Sequence, residues 1–408
     1  MYTVTKSDKT LRGIINLTAS KSESNRALII QALCKDAFEI KNLATAKDTS
    51  TLQELLSSNN STLDVGPAGT TYRFLTAYLA TQKGRETILT GSQRMKERPI
   101  GILVDALRSI GADVEYVENE GYPPLKIKGK QLQGGTITIN GGVSSQYISA
   151  LLLIAPTLTG GLKIQFTGEV VSVPYIQMTL NIMANFGATY TWQNNTIRID
   201  EAAYKAEQFT VEADWSAAAF WYEMVALSED ADITITGLKE QSFQGDAVVV
   251  EVYKKLGVKT TFKSGKIQVQ FNKANLKKDF FEYDFTTCPD MVQAATCTLS
   301  ALAIPFKFSG VKTLRIKETE RVLALKNEWA KAGVTIDDIS IDEIGMRKSI
   351  TPNEFATSVA TYHDHRMAMA FAPLALKFNS IRIEDPDVIV KSYPEFWEHL
   401  KSVGFEMN

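Results

Sequence analysis

Several short stretches of the 408-residue chain combine cations with small hydrogen-bonding side chains. The stretch SKSESNR, residues 20–26, places Lys21, Arg26 and three serines directly before the apolar run ALIIQAL. Related mixtures occur in RMKERP, residues 94–99, and in KETER, residues 317–321. Arginine forks and lysine charges are the side chains that proteins use to hold phosphates and carboxylates. These stretches therefore predict sites for small anionic ligands.

Most of these polar residues stand where an apolar helical run begins. The first turn of a helix carries unpaired N–H groups and a partial positive charge, so it favours anions. AGTTYRFL, SSQYISALL and DHRMAMAF follow this pattern, and Pro99 is expected at the first position of another helix. Each motif alone is also typical of an ordinary helix cap. A ligand site is predicted by their combination.

Two series of landmarks recur along the chain at nearly constant spacing. In the first series, a helical pattern ends at a glycine that precedes a β-like run, as expected for a left-handed residue after a helix. These glycines are 70 to 76 residues apart, at Gly111, Gly187, Gly257, Gly333 and Gly404. In the second series, helical runs begin at a residue type that caps N-termini. These residues are 71 to 75 apart, at Thr70, Ser145, Ser216, Asp290 and Asp364.

The SKSESNR stretch begins a sixth and shorter repeat ahead of Thr70. Strand patterns of period two, such as GTITING, LKIQFTG, ITITG and KIQVQF, lie between the helical runs. A solenoid usually has a period of about 20 to 50 residues, so these longer units are small subdomains instead. We therefore predict an α/β protein of two domains with three repeats each, divided near residues 209–216.

The bulk composition argues against several classes of function. The net charge is −2, so no general basic field favours nucleic acid. The first residues lack the apolar core of a signal peptide, and no apolar run has the length of a membrane span. We predict a cytoplasmic protein with reduced cysteines. The pair His363 and His365 is too sparse for a metal site, and no metal is expected.

Taken together and in order, the motifs resemble those of the enolpyruvyl transferases, in the branch that acts on shikimate 3-phosphate. The resemblance runs from about Leu11 to the C-terminus. It is carried by SKSESNRALI, AGTTYRFL, RMKERPIGILVDAL, VSSQYISALL, PYIQMTL, PDMVQAAT, RIKETERV, YHDHRMAMAF and DPDVIVKSYPEFW. The ordered set is specific, whereas single motifs are not.

The resemblance implies a two-domain fold, each domain with three βαβαββ repeats in a pseudo-threefold arrangement. The continuous domain would span residues 19–211, with a shortened first repeat. The discontinuous domain would combine residues 1–18 with residues 212–408. The active site is expected in the cleft between the domains, and hinges are expected near Thr18 and Val211.

The resemblance also implies a reaction, which belongs to the shikimate pathway of aromatic amino acid synthesis. Phosphoenolpyruvate would pass its enolpyruvyl group to the 5-hydroxyl of shikimate 3-phosphate, and phosphate would leave. The addition needs a base for the hydroxyl and an acid for C3 of phosphoenolpyruvate. No cofactor is expected, and a monomer with no nucleic-acid or membrane partner is the family expectation.

Site residues are carried over onto the matching motif positions. The catalytic residues would be Asp290 as base, Glu318 as proton donor, and Lys21. Shikimate 3-phosphate would be held by Lys21, Ser22, Arg26, Ser144, Ser145, Gln146, Ser172, Asp290, Thr313 and Lys317. Phosphoenolpyruvate would be held by Lys21, Gly69, Arg94, Gln146, Arg321, Arg366 and Lys391.

The chain departs from the family pattern at a few positions. Thr18 and Ala19 replace the usual Pro-Gly before the first motif, and Pro67 replaces an asparagine. Thr313 stands where an asparagine commonly contacts shikimate 3-phosphate. The segment between Leu56 and Asp64 is short, so the first repeat is expected to lack a β-hairpin.

Two alternatives remain open at this point. The sister enzyme that modifies UDP-N-acetylglucosamine usually carries a reactive cysteine before its RP helix, and TGSQRMKERP has none. A non-catalytic anion-binding protein on the same fold would be expected to lose the acid, the base or the arginines, and all of them are present.

Overall fold

Helices and short strands alternate along the chain in the computed structural model, which describes all 408 residues. The strands are β1 (Tyr2–Thr5), β2 (Thr10–Asn16), β3 (Ile40–Lys41), β4 (Thr62–Asp64), β5 (Glu86–Thr90), β6 (Asp113–Tyr116), β7 (Leu125–Lys128), β8 (Gln133–Asn140), β9 (Thr159–Thr167), β10 (Tyr190–Gln193), β11 (Thr196–Ile199), β12 (Phe209–Thr210), β13 (Asp230–Thr236), β14 (Lys259–Lys263), β15 (Lys266–Asn272), β16 (Phe281–Asp284), β17 (Phe306–Ser309), β18 (Asp337–Ser340), β19 (Glu343–Met346), β20 (Ile381–Ile383) and β21 (Glu406–Met407).

The α-helices are α1 (Lys21–Leu33), α2 (Lys47–Ser57), α3 (Gly69–Thr81), α4 (Gln93–Lys96), α5 (Gly101–Ser109), α6 (Ser145–Ile154), α7 (Val173–Asn185), α8 (Trp215–Leu227), α9 (Val249–Lys254), α10 (Val292–Ala301), α11 (Arg321–Ala330), α12 (His365–Phe371) and α13 (Phe396–Ser402). Short 3-10 segments include Pro289–Met291, Lys312–Ile316 and Pro386–Lys391. No helix combines the length and the apolar character that a membrane crossing requires.

The chain forms two compact units. The split unit joins Met1–Ala19 to Glu212–Asn408, and the continuous unit is Ser20–Val211. Within the split unit, the two chain segments at the boundary run side by side. Ala19 forms an antiparallel bridge with Ala213, and the Asp214 N–H donates to the Thr18 carbonyl at 2.9 Å.

Four sheets share one strand order, which is that of a βαβαββ repeat. The first strand pairs parallel with the second, and the second pairs antiparallel with the last strand of a hairpin. This order occurs in β4-β5-β7-β6 and β8-β9-β11-β10 of the continuous unit. It occurs again in β2-β13-β15-β14 and β16-β17-β19-β18 of the split unit. The predicted repeat is therefore confirmed in all four sheets.

Each unit also holds a third, incomplete copy. In the continuous unit, α1, β3 and α2 lead directly to β4, and β12 supplies the parallel partner of β3. This copy has no hairpin. In the split unit, β1 lies between β20 and β21, while Val359 bridges Ile383 in parallel. The N-terminal strand thus completes the sheet formed by the C-terminal segment.

The inner helices are apolar on nearly every side, because other helices cover them. In the continuous unit α1, α3 and α6 contact one another, and in the split unit α8, α10 and α12 do so. The α8 sequence buries Trp215, Phe220 and Trp221 fully or almost fully. A helix that is hydrophobic all round is typical of such a buried position. By contrast, β13 alternates, with only every second side chain buried, as expected for a strand with one covered face.

The glycine series also behaves as predicted. Gly111, Gly187, Gly257, Gly333 and Gly404 follow helix ends with φ between 76° and 92°. One sequence expectation is wrong, however. Helix α5 begins at Gly101 rather than at Pro99. The N–H groups of Ile100 and Gly101 both donate to the Gly121 carbonyl, and the Pro99 carbonyl accepts a bond from the Tyr147 hydroxyl. These bonds hold Pro99 in the preceding loop.

Candidate active site

The continuous unit brings the starts of four helices together through side-chain hydrogen bonds. Lys21, the first residue of α1, donates from Nζ to Asp48 Oδ2 at 3.2 Å, and Asp48 lies in the first turn of α2. The Asp48 carbonyl accepts from Thr71 Oγ1 of α3 at 3.0 Å. Gln146 of α6 donates from Nε2 to Thr70 Oγ1 at 3.0 Å. The starts of α1, α2, α3 and α6 therefore meet, which the sequence alone did not establish.

The Arg26 side chain is buried and hydrogen-bonded at the junction of α1, α6 and α7. Its Nε donates to Thr179 Oγ1 at 2.7 Å, and its Nη2 donates to Ser149 Oγ at 3.2 Å. Nη1 and Nη2 also donate to the carbonyls of Ser22 and Tyr175 at 2.8 and 3.3 Å. Burial lowers the pKa of Arg26 to about 10, so it remains a cation at neutral pH.

The predicted serines occupy helix starts in the same unit. Ser144 caps α6, because its Oγ accepts from the Gln146 N–H at 3.4 Å, and Ser145 is the first residue of that helix. Ser172 precedes α7 in a left-handed conformation, with φ 54°, and is buried. A left-handed serine is an uncommon and strained conformation that often marks a functional position.

Gly69 begins α3, and two guanidinium groups lie against its α-carbon. A Cβ at this position would lie 2.5 Å from Arg98 Nη1 and 2.6 Å from Arg73 Nη1. Arg73 also donates from Nη1 to the Gly69 carbonyl at 2.8 Å. Arg94 lies elsewhere on this segment, since its side chain is 49% exposed and donates to Glu97 at 3.1 Å. Thus Arg98, rather than Arg94, lies beside Gly69.

The split unit places Arg321 among three carboxylates. Nε donates to Asp364 Oδ2 at 2.7 Å, Nη1 donates to Asp290 Oδ1 at 2.9 Å, and Nη2 donates to Glu318 Oε2 at 2.9 Å. The guanidinium is almost fully buried, and these neighbours dominate its electrostatics. Burial lowers the pKa of Arg321, but the charges of Asp364, Glu318 and Asp290 outweigh it and raise the pKa. Arg321 is therefore a permanent cation.

Asp290 is held by two further cations. Arg366 donates from Nη2 to Asp290 Oδ2 and from Nη1 to the Asp290 carbonyl, both at 3.1 Å. Lys317 Nζ lies 3.6 Å from Oδ1. Burial raises the pKa of Asp290, but the charges of Arg366, Lys317 and Arg321 outweigh it and hold the pKa well below the ordinary range. Asp290 is ionised in this arrangement.

Glu318 completes the described cluster. Glu318 bonds to Arg321 through one oxygen and accepts from Lys391 Nζ through the other at 3.4 Å. Thr313 lies in the 3-10 segment before Lys317, and its Oγ1 is buried without a hydrogen-bond partner. The cluster therefore combines two candidate acid–base groups with four cations, at Lys317, Arg321, Arg366 and Lys391.

Four supporting residues had no role assigned from the sequence. Asp48 accepts a hydrogen bond from Lys21. Arg26 is held by Ser149 and Thr179. Asp364 accepts from Arg321 and also caps α12, because it accepts from the Arg366 N–H at 2.9 Å. Ser149 lies one helical turn after Ser145, so the polar face of α6 could have indicated from the sequence that Ser149 contributes to the site. Asp364 stands in the HDHR motif, where its capping position was visible. Asp48 and Thr179 carry no such signal.

Comparison with known proteins identifies the family of the chain. The family model for EPSP synthase (3-phosphoshikimate 1-carboxyvinyltransferase) matches residues 5–58 and 50–400. A 3-phosphoshikimate 1-carboxyvinyltransferase from Bacteroides fragilis is 46% identical over 396 residues, covering 97% of this chain and 96% of that protein. One from Pseudoalteromonas atlantica is 35% identical over 425 residues, with 97% and 96% covered.

A solved structure shares the fold. EPSP synthase from Acinetobacter baumannii matches with a TM-score of 0.79 at 20% identity, covering all of this chain and 99% of that one. At this identity the likeness shows the two-domain fold, while the sequence matches carry the family assignment. Together with the ordered motifs on helix starts, they establish that the chain belongs to the EPSP synthase family.

Proposed function

We propose that the chain transfers the enolpyruvyl group of phosphoenolpyruvate to the 5-hydroxyl of shikimate 3-phosphate and releases phosphate. The observation that carries this proposal is Arg321, because one buried guanidinium positions both Asp290 and Glu318. The reaction needs one group that takes a proton from a hydroxyl and another that exchanges a proton at carbon. Two carboxylates held by the same cation meet that requirement.

In the addition step, the 5-hydroxyl oxygen attacks C2 of phosphoenolpyruvate and loses its proton to Asp290. C3 takes a proton from Glu318, which gives a tetrahedral intermediate. In the elimination step, phosphate leaves C2 and C3 returns a proton to Glu318. Lysine and arginine side chains stabilise the charges on the phosphates and carboxylates throughout.

The anion-binding residues divide between the two units. In the continuous unit, the residues proposed to hold shikimate 3-phosphate are Lys21, Ser22, Arg26, Ser144, Ser145, Gln146 and Ser172. Gly69 and Arg94 are proposed to hold phosphoenolpyruvate, together with Lys21 and Gln146. In the split unit, the residues proposed to bind phosphoenolpyruvate are Arg321, Arg366 and Lys391. Those proposed to bind shikimate 3-phosphate are Asp290, Thr313 and Lys317.

Substrate anions would change the proton affinity of Asp290. The cations Arg366 and Lys391 are bonded to Asp290 and Glu318. A substrate carboxylate or phosphate that binds these cations weakens their hold on the protein carboxylates. The pKa of Asp290, which the charge of Arg366 helps to hold low, then rises toward the range in which a carboxyl group exchanges protons effectively. Binding would thereby activate the base.

The remaining expectations belong to the same proposal. The reaction requires no metal or organic cofactor, and the proposed partners are the two small-molecule substrates alone. We place the protein in the cytoplasm as a monomer.

The test is phosphate release by the purified protein. Release is expected only when phosphoenolpyruvate and shikimate 3-phosphate are both supplied. Asp290→Asn and Glu318→Gln are expected to lower kcat by about 100-fold or more, as for the loss of a general acid or base. Calorimetric binding of shikimate 3-phosphate should change far less. Release with UDP-N-acetylglucosamine as the acceptor would overturn the assignment.

A further inference from the structure

The segment before α12, residues 358–363, ends with two adjacent residues in the left-handed region. Tyr362 has φ 54° and His363 has φ 56°. Residues with a side chain are uncommon in this region, and such a conformation persists only when the surrounding structure holds it in place. The segment leads directly to Asp364 and Arg366, which both belong to the candidate site. Its backbone therefore has to be held for these two side chains to be placed.

One buried carboxylate holds this segment. Glu328 lies on α11 with 0% of its surface exposed, and its Oε1 accepts from the Tyr362 hydroxyl at 2.7 Å. Its Oε2 accepts from the Ala360 N–H at 3.2 Å and from Lys331 Nζ at 2.6 Å. Lys331 Nζ also donates to the Ser358 carbonyl at 2.8 Å. These donors compensate the burial of the carboxylate and attach the segment to the end of α11.

Helix α11 connects this carboxylate to the candidate site. Arg321 is its first residue, and Glu328 follows two helical turns later, so both lie on the same face of the helix. Arg321 donates from Nε to Asp364 Oδ2 at 2.7 Å, immediately after the segment before α12. One helix therefore holds this segment along its length through Glu328 and at its end through Arg321.

We propose that Glu328 is a positioning residue, which holds the segment before α12 so that Arg366 meets Asp290. The proposal rests on the proposed function and extends it, because Glu328 belongs to neither the substrate-binding nor the acid–base groups. Asp364 supports the connection, since its Oδ1 accepts from the N–H of Arg366 at 2.9 Å. Arg366 in turn donates from Nη2 to Asp290 Oδ2 at 3.1 Å. The Tyr362 hydroxyl is the contact through which Glu328 acts on the left-handed residues.

Tyr362→Phe tests the proposal with the smallest change, because it removes one hydroxyl and keeps the ring. Without the Glu328 contact, Arg366 loses its fixed position, so kcat/KM for phosphoenolpyruvate should fall about 10- to 100-fold. Burial raises the pKa of Asp290, and the charge of Arg366 opposes this effect most strongly. Loosening Arg366 should therefore raise that pKa. Since Asp290 must be ionised to accept a proton, the acidic limb of the kcat/KM–pH profile should move to higher pH.

Tyr222→Phe is the matched control in the same unit. The Tyr222 hydroxyl shares a hydrogen bond of 2.8 Å with Thr260 Oγ1 on β14. Both variants lose one tyrosine hydrogen bond, so both should lower the thermal unfolding midpoint by a similar small amount. Only Tyr362→Phe should shift the pH profile, because a loss of stability alone does not change the pKa of Asp290. An unshifted profile in Tyr362→Phe, or an equal shift in Tyr222→Phe, would overturn the proposal.

A double-mutant cycle tests whether Glu328 acts through Tyr362. Glu328→Gln keeps the size of the side chain but replaces one acceptor oxygen with a donor, and it should shift the profile in the same direction. Because both substitutions break the same contact, the double variant should lose less kcat/KM than the product of the two single losses. A loss equal to that product would mean that the residues act separately, and would contradict the proposed role. If Glu328→Gln does not fold, Tyr362→Phe and its control decide the question alone.

The outcomes also separate this proposal from the proposed function. A wild-type protein that releases no phosphate from the two substrates would refute the proposed function, and the role of Glu328 with it. If the wild type is active and Tyr362→Phe keeps the wild-type kcat/KM and pH profile, only the positioning role is refuted.

Discussion

Arg321 and Asp290 are joined by a bond of 2.9 Å between Nη1 and Oδ1, and the other terminal nitrogen of the same arginine bonds Glu318 at the same distance. Asp364 fixes the remaining edge of the guanidinium at 2.7 Å from Nε. The separation of the two proposed acid–base groups is therefore set by a planar group that is itself locked in place. A flexible ammonium could not fix two carboxylates in this way.

Arg321→Lys tests this arrangement. The variant keeps the charge but loses the planar fork, so we expect kcat to fall about 100-fold. Arg321 lowers the pKa of Asp290, and weakening that contact should raise the pKa and move the acidic limb of the kcat–pH profile upward. Arg315→Lys is the matched control, because Arg315 also bonds two carboxylates, at 3.1 Å (Glu320) and 2.7 Å (Asp338). An unshifted profile in Arg321→Lys would contradict the interpretation.

Gly69→Ala tests the packing at the start of α3. The new Cβ would lie 2.5 Å from Arg98 Nη1 and 2.6 Å from Arg73 Nη1, so at least one guanidinium must move. We expect the KM for phosphoenolpyruvate to rise at least about 10-fold, since the displaced guanidinium would distort the start of α3, where Gly69 is proposed to bind this substrate. Gly101→Ala is the control, because its Cβ would meet its nearest neighbours at 3.4 and 3.5 Å. Equal KM values for both variants would argue against a ligand site at Gly69.

Thr179→Val tests the hydrogen bonds that hold Arg26. The substitution preserves shape but removes the Oγ1 that accepts from Arg26 Nε at 2.7 Å. A buried guanidinium nitrogen then lacks an acceptor, which should cost about 1 to 3 kcal/mol of unfolding free energy. Affinity for shikimate 3-phosphate should fall as well, because Arg26 loses its fixed orientation. Urea unfolding and calorimetry measure the two effects. Thr189→Val, at an exposed position in the same unit, is the control and should change neither the unfolding free energy nor the affinity. An unchanged unfolding free energy in Thr179→Val would contradict the proposed role of Thr179 in holding Arg26.

Glu223→Gln tests a buried carboxyl group in the split unit. Glu223 is 0% exposed on α8, and neither of its oxygens has a hydrogen-bond partner. Burial raises its pKa well above the ordinary value of 4.5, so the folded protein holds a proton that the unfolded chain releases. The wild type should therefore lose stability as pH rises above about 4.5, by up to about 1.4 kcal/mol per pH unit.

Glutamine cannot ionise, so Glu223→Gln should lack this slope and exceed the wild type in stability at alkaline pH. Urea unfolding at a series of pH values measures both curves. Glu251→Gln, on the neighbouring helix α9 and exposed, is the control and should follow the wild-type curve. Parallel curves for Glu223→Gln and the wild type would show that the buried carboxyl does not titrate in this way.

The repeat architecture was predictable because it rests on local rules. A helix that ends at a left-handed residue favours glycine, and Gly111 and its four counterparts kept their spacing visible in the sequence. Alternating strands such as β13 show their buried face directly. The incomplete copies were predictable only through the family resemblance, since β1 and β20 pair across almost the whole chain.

The site was only partly predictable, for a different reason. Arg94 and Arg98 both belong to one basic motif, but the one-turn helix α4 leaves Arg94 exposed while the chain after it turns Arg98 inward. That difference depends on packing against Gly69. Likewise, Arg26 meets Thr179 and Ser149 across 153 and 123 residues of sequence. Contacts between residues so far apart in the sequence depend on the tertiary fold, and no local sequence pattern indicates them.

The position of β1 has a consequence for synthesis on the ribosome. This strand leaves the ribosome long before both of its partners, β20 (Ile381–Ile383) and β21 (Glu406–Met407), because the other described strands and helices lie between them in the sequence. At bacterial or eukaryotic elongation rates, it waits about 20 to 80 s for them. Residues 20–211 are complete long before that time and can fold while β1 still lacks a sheet. The N-terminal strand is thus the segment of the nascent chain that most needs protection from premature pairing.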